Sequence, residues 1–174
     1  GGSGIDFGKA IAAMATNREG ESIADYLEGV GRGLKLHQPP LPIVALPTTG
    51  GTGTEATKNA VISNYDPPYK KSWRSELLVP RVVLVDPELG TGVPPAVTAA
   101  TGMDAITQLI ESYISCRARP IPQALVLGGL QGALQALPAA FQDGQCRPAR
   151  ERMAHAALLS GMSLDTSGLG LPHG

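Results

Sequence analysis

The character of the chain changes once, close to Pro94. Before it, short apolar runs bounded by prolines and glycines read as strands. After it, VTAATGMDAITQLIESYI, QALVLGGLQGALQALPAAF and ARERMAHAALLSGMSLDT are long, rich in Ala and Leu, and of helical period. A strand-and-helix stretch followed by a run of helices needs two packing units, joined near DPELGTGVPP, residues 86–95. The expected fold class is an α/β part, with a parallel sheet and helices, followed by an all-helical part. The expected division is 1–92 and 93–174.

Within the first part, Ile5, Ala10, Ile11 and Met14 recur at near-helical spacing behind GGSG, so a helix over residues 5–16 is entered through a glycine loop. The polar stretch that follows is broken by Gly and Pro and holds one short helical turn around Ser22 to Leu27. LPIVALP, residues 41–47, is a continuous apolar run between prolines and reads as a buried parallel strand. NAVISNY (59–65) and WRSELLVP (73–80) flank DPPYKK as a hairpin-like pair, and RVVLVDP (81–87) reads as a second buried strand. Aromatic content is 4%, so the helices are expected to pack closely through Ala and Gly. The chain has no internal repeat.

Composition excludes several classes. A chain of 174 residues with 43% hydrophobic content can bury a core. Fourteen basic against fifteen acidic residues, with no Lys/Arg stripe, leave no footprint for nucleic acid. Cys116 and Cys146 lack CxxC spacing, which suits a reducing compartment. No uninterrupted apolar run reaches the roughly 20 residues of a membrane span, and no signal segment opens the sequence. A soluble cytoplasmic protein is the expectation. Because the chain begins GGSGIDFGK without Met and stops just after His173, it reads as a piece of a longer protein.

Three segments can carry chemistry. GGSGIDFGK places glycines before a helix N-terminus, an anion cradle suited to a pyrophosphate, or an ordinary turn. PTTGGTGTE, residues 47–55, follows a strand and offers Thr48, Thr49, Thr52 and Thr54. It has neither the Lys-Ser/Thr of a P-loop nor GxGxxG spacing, but it sits where open α/β sheets place ligands. In the helical part Asp104 and Gln108 stand at i and i+4, with Glu111 continuing the stripe. Read alone, that stripe is a solvated helix face. His173 follows a Gly-rich break and can point into a cleft, although a lone His read by itself is more often structural than a ligand. His37 and His155 have no partner at ligand spacing and read as surface or structural residues, and GVGRG (29–33) lacks a preceding buried strand.

Together these segments resemble the iron-containing (group III) alcohol dehydrogenases, a family that includes lactaldehyde reductases, maleylacetate reductases and, more distantly, glycerol dehydrogenases. GGS with Asp6 and Lys9 is similar to its GGGSxxDxAK. PTTGGTGTEAT is similar to PTTxGTGSE-T, VDPELGTGVPPAVTAATGMDAIT to DPxLxxxLPPxxTAATGxDAxTH, and GLGLPHG to the start of GLxHxxAH. The resemblance implies a dinucleotide-binding α/β domain, a helical domain, and a cleft between them holding NAD or NADP and one divalent metal, Fe(II) or Zn(II). The implied reaction is hydride transfer between NAD(P) and a small alcohol, aldehyde or ketone. The implied cofactor contacts are Gly1, Gly2, Ser3, Asp6, Thr48, Thr49, Thr52, Asn59 and Lys70. The implied metal ligands are Asp104 and His173, with Gln108 at a third position. No nucleic-acid or membrane partner is expected, and the full-length protein is expected to form a homo-oligomer.

The sequence departs from the family pattern in three places. Residues 104–108 read DAITQ where the metal-binding form has DAxTH, so a neutral amide stands where imidazole is usual, which weakens affinity or shifts metal preference. The chain stops before the family's further His, and it lacks the opening strand and the acidic or small residue that chooses NAD over NADP. The alternative expectation is therefore a nucleotide-binding pseudoenzyme or an inactive fragment that has lost its metal.

Overall fold

The computed structural model describes residues 1–170 and 173. Helix α1 spans Gly2–Thr16. It starts earlier than the expected residue 5, because the Gly1 carbonyl already accepts from the Gly4 and Ile5 amides. The glycines are thus the first turn of the helix, not a loop before it. A single 3-10 turn at Ile23–Tyr26 follows, with Ser22 and Asp25 forming a capping box, at the position where one short helical turn is expected.

Strands β1 (Val44–Ala45) and β4 (Val82–Val83) pair in parallel. The parallel pairing agrees with the sequence expectation, but the two expected buried strands do not. Each is two residues long, and Val44 and Val82 are 55% and 43% exposed. Among the described residues no third strand flanks this pair, so only one side of it, at Ala45, is covered. The hairpin is β2 (Asn59–Tyr65) with β3 (Pro68–Arg74), antiparallel in register Asn59 to Arg74. Its second strand lies upstream of the expected 73–80, since Pro68 to Lys71 join the ladder. Glu76–Leu78 instead form a 3-10 turn capped by Ser75.

After a 3-10 turn at Pro87–Gly90, with Asp86 accepting from the Glu88 amide, come α2 (Pro95–Ile114), α3 (Pro120–Gln142) and α4 (Arg147–Ser167). Each helix begins with a proline at its first or second position, where no amide donor is required. α3 is long and apolar enough to span a membrane by length and composition. Here it packs between α2 and α4 through Val126, Gly129, Ala133, Ala136 and Ala140.

Two separate hydrophobic clusters result. The helical one is built of Ile106, Leu109, Ala133, Ala136, Ala149, Met153, Ala156 and Leu159. A Cβ on Gly129 would sit 3.2 Å from Leu109, so small residues set the helix spacing, as the low aromatic content implies. The other cluster joins α1 to the hairpin: Ala10, Ala13, Tyr26, Leu27, Ala60, Trp73 and Leu78, with the Tyr26 and Trp73 rings 5.0 Å apart.

Candidate functional site

A cleft of about 710 Å³ opens between the α1 and hairpin side and the helical side. Of the expected site residues it is lined by Gly2, Ser3, Asp6, Thr52, Asn59, Lys70, Asp104, Gln108 and His173. Gly1, Thr48 and Thr49 lie off it. Thr48 and Thr49 line a small neighbouring pocket, and Gly1 packs on Thr49 while its amino group donates to Thr48.

The first wall is organised around a buried lysine. Lys9 lies one face of α1 inward, fully buried, and its ammonium donates to the carbonyls of Thr54 (2.7 Å), Thr57 (2.6 Å) and Asn59 (2.8 Å). Three carbonyls in a row bind the three protons of one ammonium, so the loop leaving β1 is pinned to α1 before it enters the hairpin. Burial pushes this lysine down to about 8, against the pull of Asp6, Asp165 and Glu55. Asp6 accepts a hydrogen bond from the Thr54 hydroxyl, and burial raises its pKa despite that bond. Its carboxylate therefore faces the cleft but is already engaged. Sequence reasoning placed Lys9 in a motif without a role; no local signal reveals that three carbonyls some 45 to 50 residues away converge on it.

The glycines of PTTGGTGTE serve a packing role that the sequence does not disclose. Gly53 adopts φ +62°, and a Cβ there would meet the Gly161 amide nitrogen of α4 at 2.5 Å. A Cβ on Gly161 would in turn lie 2.1 Å from the Gly53 carbonyl oxygen. Loop and helix thus touch backbone to backbone. Asp165 adds a second tie from α4 by accepting from the Lys58 amide at 2.9 Å.

This wall fits a phosphate-bearing cofactor. A Cβ on Gly2 would come within 2.6 Å of the Thr52 hydroxyl, so the backbone stays bare at the mouth of α1. Ser3, Thr52, Thr57 and Ser72 supply hydroxyls, Lys70 and Arg74 supply positive charge, and the buried Asn59 Oδ1 has no hydrogen-bond partner among the described residues.

The second wall is a chain of side chains. His173 spans two carboxylates, with Nδ1 2.8 Å from Glu111 Oε1 and Nε2 3.0 Å from Asp104 Oδ1. Glu111 Oε2 also accepts from the Gly170 amide at 2.6 Å. Burial would lower the His173 pKa, but the hydrogen bonds to Glu111 and Asp104 outweigh it and leave it raised above 6.5. Gln108 Nε2 donates to Asp104 Oδ2 at 3.0 Å, and Gln108 Oε1 accepts from Ser160 at 3.0 Å. The solvated-face expectation for this stripe is overturned: Gln108 is 5% exposed and Glu111 2%, because α4 packs across them. Of GLGLPHG, residues 171, 172 and 174 lie outside the described residues.

Among the described residues no three His, Cys, Asp or Glu side chains form a metal-binding group. Glu111 is behind the imidazole, so the open side presents Asp104, His173 and the Gln108 amide. Two donor atoms 3.0 Å apart match the edge of an octahedral ion with ligands at about 2.1 Å, and a tetrahedral ion would need them spread to about 3.4 Å. A carboxylate on the far nitrogen is the usual support for a ligating histidine. The donor set fits a divalent cation.

Comparison with known proteins agrees with this architecture. The profile of the iron-containing alcohol dehydrogenases matches residues 1–87, and that of the C-terminal region of the Fe-containing alcohol dehydrogenase family matches residues 98–174. The chain belongs to the iron-containing alcohol dehydrogenase family. It is 42% identical to alcohol dehydrogenase 4 of Saccharomyces cerevisiae and 39% identical to the NAD-dependent methanol dehydrogenase of Bacillus methanolicus. Each alignment covers 99% of this chain and 44% of the relative, so the chain spans less than half the length of these relatives. Among solved structures, sulfoacetaldehyde reductase from Bifidobacterium kashiwanohense in complex with NAD+ superposes with a TM-score of 0.89 at 36% identity, over 97% of this chain and 44% of that one. A 1,3-propanediol oxidoreductase superposes with a TM-score of 0.88 at 39% identity, over 98% of this chain and 43% of that one.

Proposed function

We propose that the full-length protein is a cytoplasmic oxidoreductase that interconverts a small alcohol and its aldehyde or ketone, using NAD(P) and one divalent metal in the cleft. The observation that carries this reading is His173 held between Glu111 and Asp104 on the wall facing the hydroxyl-rich cradle. Family membership supports the same reaction class, and the NAD+ complex of the sulfoacetaldehyde reductase supports the cofactor. The two separate cores support the division into a dinucleotide-binding part, 1–92, and a metal-binding helical part, 93–174.

When bound, the metal supplies Lewis-acid polarisation of the substrate oxygen and the nicotinamide exchanges a hydride with the substrate carbon. The chain's own groups place these partners. Gly2, Ser3 and Thr52 take the pyrophosphate at the first turn of α1, Lys70 adds charge, and Asn59 offers its free oxygen. Asp104 and His173 are the proposed metal ligands, and Glu111 keeps the imidazole proton on Nδ1 so that Nε2 stays a donor atom.

The test is to purify the full-length protein with iron or zinc supplied and assay NAD(P)H-dependent carbonyl reduction and alcohol oxidation. Activity, with bound metal that is lost in Asp104→Ala, is the expected result. Tight cofactor binding with no metal and neither activity would instead establish a pseudoenzyme.

A further inference from the structure

Resting on the metal site just proposed, the geometry points to a role for Gln108 that the sequence left open: we infer that Gln108 is an oxygen ligand whose amide is set in place by Ser160.

Gln108 is nearly sealed from solvent, and both ends of its amide are engaged, one by Asp104 and the other by Ser160. Ser160 is fully buried on α4, and its hydroxyl lies within bonding distance of two acceptors, the Ala157 carbonyl at 2.8 Å and Gln108 Oε1 at 3.0 Å. A hydroxyl has one proton, so it fully satisfies only one of them at a time. Two arrangements follow. In the first, Ser160 donates to Gln108 Oε1, and the Gln108 NH₂ donates to Asp104. In the second, Ser160 donates to Ala157, and its oxygen then accepts from the Gln108 NH₂.

The amide has turned over in the second arrangement. Its oxygen and nitrogen are almost the same size, so the exchange needs no extra volume. It brings the amide oxygen beside Asp104 Oδ2, at the place where the nitrogen lies 3.0 Å away. Two oxygens at that distance, one of them anionic, repel unless a cation lies against both. The second arrangement is therefore the metal-loaded one, and the first is the metal-free one. Ser160 stabilises either by turning its single hydroxyl proton, and among the described residues the Gln108 amide is hydrogen-bonded by Asp104 at one end and by Ser160 at the other. Ser160 is a positioning residue. The resulting donor set, a carboxylate, an amide oxygen and one imidazole, is harder than a site with two imidazoles, so it discriminates less strongly in favour of Zn(II) over Mn(II).

Calorimetric titration of the metal-stripped full-length protein with MnCl₂ and with ZnCl₂ tests this. Asp104→Ala abolishing binding establishes that the site is the one proposed; if wild type binds neither metal there, the functional reading itself fails. With binding at Asp104 established, Gln108→Ala is expected to weaken Mn(II) at least tenfold, and Ser160→Ala about tenfold. In the Gln108→Ala background Ser160→Ala is expected to add nothing, which is the signature of action through the amide. Gln108→His is expected to tighten Zn(II) more than Mn(II). Gln108→Glu, which keeps shape and adds charge, is expected to tighten both and serves if Ser160→Ala fails to fold. Unchanged Mn(II) affinity in Gln108→Ala overturns the ligand assignment while leaving Asp104 in place. A Ser160→Ala effect that persists without Gln108 overturns the positioning role.

Discussion

The two walls of the cleft are held by different means. On the α1 side, beside the Thr54 hydroxyl on Asp6, the main ties run to backbone: one ammonium on three carbonyls, and a loop glycine against a helix glycine. On the α2 side they run from side chain to side chain, from Glu111 through His173, Asp104 and Gln108 to Ser160. A backbone-anchored wall has no spare conformations, so a change there costs the fold. A side-chain chain can exchange one polar group for another, so a change there alters ligand chemistry and leaves the fold standing. Under the proposed metal site, Gln108, where the resembling motif has a histidine, is that kind of exchange.

The largest break is expected at Lys9. Lys9→Met leaves three carbonyls without their donor, and urea unfolding should show a loss of roughly 3–5 kcal/mol. A pH dependence accompanies it. The folded pKa near 8 lies below the unfolded 10.5, so between those values the unfolded chain holds more protons and stability rises with pH. Below about 8 that contribution is absent. The variant should lack this rise when melting temperatures are followed from pH 7 to 10.5.

Gly161→Ala comes next. The new methyl would fall 2.1 Å from the Gly53 carbonyl, forcing loop and helix apart at a cost of about 2–3 kcal/mol in thermal unfolding. If that variant melts like wild type, the backbone contact is not what holds this wall.

Glu111→Gln probes the other wall. The chain should fold normally, yet bind metal about tenfold more weakly in calorimetry, because the imidazole loses its anionic support. A stability loss larger than the affinity loss would erase the contrast between the walls. The smallest effect belongs to the exposed pair of Arg147 with Glu88, where Arg147→Ala should move the urea midpoint by no more than about 0.5 kcal/mol.

Much of the architecture was legible. The three helices, the parallel pairing of the two apolar runs and the hairpin each follow from patterns a few residues long. Strand burial was not: Val44 and Val82 are exposed in this chain, which spans less than half the length of its relatives. Of the proposed site, Asp104 and His173 were singled out through motif resemblance, and the two side chains lie 3.0 Å apart. Thr48 and Thr49 belong to the same motif as Thr52, but the loop turns at the glycines and carries them to the neighbouring pocket. Ser160 carried no signal, since a serine inside an Ala-rich helix looks like any other small residue.

What the sequence determined by itself is local: where helices start, where prolines and glycines interrupt the chain, and which short motifs stand in which order. Tertiary structure alone decided what each polar group meets. It buried Glu111 behind His173, set three distant carbonyls on Lys9 and laid Ser160 against Gln108. Periodicity specifies a helix face from one segment, but hydrogen-bond partners 45 to 62 residues away are specified only when separate elements pack.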